Sequence, residues 1–85
     1  MDTPTPPDAL SALEHQRLFH LLEAMSPTRR WEVGHMHGPL LCSLGLVEPP
    51  DDAYAHAAHR LLSDPVVKRR RALSLLKELE RQARR

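Results

Sequence analysis

Apolar residues recur along the chain at helical intervals, interrupted by short groups of proline, glycine and cap-forming residues. Leu10, Leu13, Leu18, Leu21, Leu22 and Met25 return mostly every three or four residues. Residues 1–7 hold three prolines and two threonines and cannot continue a helix, so they read as a disordered lead-in to a single helical domain over residues 8–85. The apolar stripe therefore predicts a first helix over residues 8–25. Ser11 followed by Glu14 has the spacing of a capping box, and Thr5 with Asp8 has the same spacing earlier.

Ser26-Pro27 pairs a cap residue with a proline suited to the first helical position, which restarts the chain as a second helix. Val33, Met36, Leu40 and Leu44 would extend one stripe, but Gly34, Gly38 and Pro39 fall among them. Pro39 removes an amide donor and crowds the preceding turn, so the stretch splits into helices over 27–36 and 39–44. Gly45 can close the latter in the left-handed conformation, with Leu46 folding back. Glu48-Pro49-Pro50 forces an extended connection before a helix over 51–63, capped by Asp51 or Asp52. There Tyr54, Ala57, Ala58, Leu61 and Leu62 form the apolar face, opposite Asp52, His56, His59 and Ser63. Ser63-Asp64-Pro65 repeats the cap-plus-proline corner and begins the last helix, over 65–84, with Ala72, Leu76, Leu79 and Ala83 inward, flanked by Leu73 and Leu75. Such tight corners indicate one all-α compact bundle of four to five short helices.

Composition strengthens this reading. Fifteen leucines and nine alanines stand against four valines, no isoleucine and three aromatics, a balance that disfavours a sheet. A chain of 85 residues buries only roughly 60% of the surface exposed when unfolded, so a bound partner or homodimerisation would add welcome stability. The absence of Asn and Ile, with abundant Ala, Arg, Pro and Leu, points to a GC-rich genome, bacterial or phage. The preference for arginine over lysine is then uninformative, and only the placement of charge carries meaning.

That placement is uneven. Residues 1–59 carry three basic and eight acidic side chains (−5), and residues 60–85 carry nine basic and three acidic (+6), which together give the net +1. Arg70, Lys77, Arg81 and Arg84 fall within about 60° of one another on the last helix. Glu78 and Glu80 lie beside them, spaced to pair with Arg81 and Arg84. Cations near a helix C-terminus are favoured by its dipole, which accounts for Arg81, Arg84 and Arg85. It does not account for Lys68, Arg69, Arg70 and Arg71, which sit in the opening turns. A docking role for Lys68, Arg69, Arg70, Arg71, Lys77, Arg81 and Arg84 is expected, with Trp31 and Arg30 as a second cationic and aromatic patch.

The expected partner is another protein with an acidic surface, the leucine-rich basic C-terminal helix supplying both charge and apolar contact. The chain then reads as a small non-enzymatic regulator, inhibitor or adaptor. The alternative is sequence-nonspecific nucleic-acid binding through phosphates, since Phe19, Trp31 and Tyr54 all lie outside the basic segment and amide side chains for base reading are scarce.

Six histidines raise the question of zinc. His56 and His59, with Asp52 one turn earlier, are the candidate ligands, but no spacing matches a zinc signature, so no metal or other cofactor is expected. The same histidines could sense pH, because protonating all six would move the net charge from +1 towards +7. Cys42 with His35 or His37 is the one conceivable nucleophile and base pair, yet Leu41 and Leu44 flank the cysteine and mark it as packing. No enzyme activity is expected. The N-terminus lacks the basic and apolar segments of a signal peptide, and no stretch reaches the roughly 20 apolar residues of a membrane span. A cytoplasmic location without membrane contact is expected.

Overall fold

In the computed structural model, which describes residues 10–84, the chain folds as an all-α bundle of five helices, with no strand among the described residues. They are α1 (Ala12–Ala24), α2 (Pro27–Met36), α3 (Gly38–Ser43), α4 (Asp52–Leu61) and α5 (Pro65–Ala83). None is long and apolar enough to cross a membrane.

Short polar side chains begin most of these helices by occupying amide donors that have no partner within the helix. Ser11 and Glu14 form the capping box, the Glu14 amide donating to Ser11 Oγ at 3.1 Å and the Ser11 amide donating to Glu14 Oε1 at 2.9 Å. The first helix consequently starts at Ala12, later than its leucine stripe suggests, and the rival Thr5 with Asp8 lies outside the described residues. Ser26 accepts from the Arg29 amide at 3.2 Å and Asp51 from the Tyr54 amide at 2.7 Å. Asp64 accepts from both Val66 and Val67, with Pro65 in the first helical position.

The break between α2 and α3 falls at His37, one residue before Gly38-Pro39. Gly38 is buried against α4, where a β-carbon would collide with the Tyr54 hydroxyl. α3 ends as its glycine predicts. Gly45 has φ +76°, its amide donates to Cys42 O at 3.0 Å, and the Leu46 amide reaches back to Leu41 O at 2.9 Å. These paired bonds satisfy carbonyls that the end of the helix would otherwise leave open.

The core draws on every helix, with Leu18 of α1 and Leu41 of α3 fully excluded from solvent. α5 supplies Ala72, Leu75, Leu76 and Leu79, Val33, Leu40 and Leu62 join them in one cluster, and Ala58 of α4 is buried outside that cluster. α1 lies alongside α5 in the same direction, Glu14 meeting Arg69 near their beginnings and Met25 sharing a hollow with Ala83 near their ends. α4 packs chiefly on α3 and barely touches α5.

That arrangement revises the apolar stripes. Leu13 is exposed on α1, and Ala83 is exposed at the rim of the hollow it shares with Met25. In α4 the inward face is Tyr54, Ala55, Ala58 and Leu62, while Ala57 and Leu61 stand outside it. With α3 as its main neighbour, the helix buries a narrower arc than its apolar residues span.

Candidate docking surfaces on α5

The outward face of α5 presents Arg70, Lys77, Arg81 and Arg84, all exposed. At 1.5 Å of rise per residue the row spans about 21 Å. Arg81 is paired with Glu78, as its spacing predicts, and Glu78 also accepts from Gln82 Nε2 at 3.0 Å. Glu80 does not pair with Arg84. It turns to Arg17 across the seam with α1, where a facing helix offers a guanidinium. Among the described residues Arg70, Arg71, Lys77 and Arg84 have no ion pair.

The four-residue basic run therefore divides. Lys68 is half-buried and donates from Nζ to Ser43 O at 3.2 Å, at the carbonyl end of α3 where a cation is favoured. Arg69 is also half-buried and reaches Glu14 on α1 at 3.2 Å. These two cations brace the fold from a position that the α5 dipole disfavours, because α3 and α1 bring acceptors to them. The Glu14 carboxyl is held below its ordinary pKa, first by the hydrogen bond from the Ser11 amide, with desolvation opposing and Arg69 adding to the lowering. Arg70 and Arg71 remain exposed.

Arg30 and Trp31 also separate. The Arg30 guanidinium donates to Leu22 O, Glu23 O and Met25 O at 3.1 to 3.3 Å, closing the C-terminal end of α1, which has no basic residue in its own last turn. Trp31 is 68% exposed and stacks on His35, with ring centroids 5.2 Å apart and planes within 8°. Arg29 turns away from both and hydrogen-bonds Gln82 of α5.

A surface not anticipated from sequence lies in the gap between α4 and α5, over the start of α3. It encloses about 450 Å³, with Leu40, Leu62 and Leu75 as a buried floor. Met36 and Leu61 form its rim and are 72% and 69% exposed, two large apolar side chains left in water beside one cleft. Arg71, Ser74 and Glu78 supply the polar edge along α5. The signal in the sequence was the doublet Leu61-Leu62: neighbours on a helix point about 100° apart, so a narrow contact buries only one.

The histidines do not converge. His56, His59 and Asp52 are exposed on α4, and among the described residues no three His, Cys, Asp or Glu side chains gather as a metal site. His15 Nε2 lies 3.3 Å from Leu44 O, and His20 Nδ1 lies 4.0 Å from Glu23. Cys42 is a buried free thiol. No family model matches the chain, and no curated protein or solved structure matches it.

Proposed function

We propose that this chain is a non-enzymatic binding protein, a regulator, inhibitor or adaptor of a bacterial or phage system, that docks onto an acidic surface of another protein through the outward face of α5. The observation that carries this reading is the row Arg70, Lys77, Arg81 and Arg84, exposed along one face and with only Arg81 paired among the described residues. Lys77 and Arg81 repel one another at four-residue spacing by a few tenths of a kcal/mol, and although Glu78 and the helix dipole favour Arg81, neither accounts for Arg70 or Lys77, which have no ion pair among the described residues. A complementary acidic surface offsets that repulsion, steers encounter and fixes orientation. Leu75, Leu76 and Leu79 of α5 are spent on the core and Leu73 packs against it, so this helix contributes mainly charge to the docking, with Val66 its exposed large apolar side chain and further apolar contact supplied from elsewhere on the molecule.

The test is capture of partners from nuclease-treated extract by the unaltered chain and by a variant carrying Arg70→Glu, Lys77→Glu and Arg84→Glu. A captured protein lost with the triple variant, at unchanged helicity, is the expected result. Capture indifferent to the substitutions would make the row ordinary solvated surface. A bound species that vanishes with nuclease, and whose affinity falls with salt at a log-log slope near −0.9 per phosphate, would identify nucleic acid as the partner and overturn the reading.

A further inference from the structure

We infer that the cleft between α4 and α5 receives one acidic, amphipathic helix of a partner protein, its apolar side on Met36 and Leu61 and its acidic flank on Arg71 and the cationic row. This rests on the docking role proposed above and names the chemistry of what docks. The cleft exists because α4 leans on α3 and leaves the flank of α5 uncovered. Its floor is core leucine, so an incoming apolar side chain continues the packing of the bundle, and its rim removes two exposed large side chains from water on closure. A helix laid in a groove is the recognition mode this shape suits, because no sheet edge is present among the described residues to add a strand.

Charge selects the occupant. Arg71 lines the cleft without an ion pair among the described residues, and Arg70 and Lys77 follow on the outer side of α5. Glu78, the acid in the lining, is already engaged by Arg81 and Gln82. An occupant therefore meets net positive charge along α5. A second copy of this chain is disfavoured, since a two-fold interface sets the same patch against itself and would oppose Arg70, Arg71 and Lys77 to their own equivalents. A nucleic-acid backbone would satisfy the arginines but would leave Met36 and Leu61 in contact with phosphate and water.

The probe is a synthetic helix of about five turns with leucines at alternating three- and four-residue spacing and glutamates on its flanks. A control peptide keeps every glutamate and replaces the leucines by serine. Binding is followed by amide and methyl chemical shifts. Saturable shifts centred on Met36, Leu61 and Leu75, absent with the serine peptide, are expected. Met36→Ser with Leu61→Ser should weaken binding about tenfold or more while leaving the thermal transition in place, and Arg71→Glu should weaken it in a salt-dependent manner.

Equal binding of the two peptides, or an unchanged affinity of the double serine variant, overturns the cleft while leaving the cationic row standing. Cleft binding that persists in the Arg70, Lys77, Arg84 triple variant but fails with Arg71→Glu separates the two ideas the other way, retaining the cleft and removing the row. Concentration-dependent dimerisation of the chain alone, abolished by the double serine substitution, assigns the cleft to a second copy and overturns the inference, as does peptide binding that is competed by duplex DNA.

Discussion

The two flanks of α5 are built from similar residues and end in opposite states. On the α1 flank Leu18 and Leu22 meet the leucines of α5, and the margin is crossed by Glu14 with Arg69 and Arg17 with Glu80. On the α4 flank there is almost no contact, Leu61 and Met36 stay in water, and Arg71 has no ion pair among the described residues. Arg69 and Arg71 are two residues apart and serve different ends. The first is a brace because a helix lies opposite; the second is available because none does. Exposed ion pairs contribute only about 0–1 kcal/mol each, so the closed flank is held by its leucines, and the charges mainly set how the helices align.

This contrast can be broken most forcefully at its buried side. Leu18→Ala removes a side chain with no exposure and is expected to cost about 2–5 kcal/mol. Leu61→Ala, on the open flank, should stay within about 0.5 kcal/mol. Urea or guanidinium midpoints with unchanged slopes measure both, and similar losses at the two positions would mean that the α4 flank is closed in solution.

A smaller effect sharpens the account of why α4 sits on α3 and away from α5. Gly38→Ala drives a β-carbon into the Tyr54 hydroxyl, and the overpacking is expected to cost about 1–3 kcal/mol. In a Tyr54→Phe background the nearest remaining ring atom stands 3.6 Å from that carbon, an ordinary contact, so the penalty should largely disappear. If Gly38→Ala costs the same in both backgrounds, the close approach of Tyr54 is not what demands glycine there.

The smallest effect concerns the closed flank and depends on pH. The carboxyl of Glu14 is held below its ordinary value of 4.5 by the Ser11 amide and then by Arg69. A folded-state pKa below the unfolded one stabilises the fold above the unfolded value, and that contribution is lost as pH falls through the folded value. Glu14→Gln should therefore lower stability at neutral pH and flatten its decline on acidification. Denaturation midpoints between about pH 3 and pH 6 check this, and an acid limb as steep as that of the unaltered chain would rule Glu14 out.

Much of the architecture was legible because helix ends are local events. Ser11 with Glu14, Ser26 with Pro27, Gly45 with Leu46, and Asp64 with Pro65 act over at most a few residues, and each does what its chemistry predicts. The exposure of Trp31 accords with its place on α2, about 160° around the helix from Val33, the buried residue there.

The candidate surfaces were legible only in part. The outward position of Arg70, Lys77, Arg81 and Arg84 follows from helical periodicity. The inward ties of Lys68 and Arg69, the three carbonyls held by Arg30 and the turn of Glu80 towards Arg17 all require residues distant in the chain.

By itself, then, the order of residues determined the helical class, the corners between helices and which face of α5 carries its cations, since all of these depend on neighbours within about one or two turns. Only the tertiary structure decided which cations are spent inside the fold, which leucines remain in water, and that a cleft opens between α4 and α5. Those outcomes depend on where one helix comes to rest against another, and an amphipathic pattern states how much surface seeks cover without stating what will cover it.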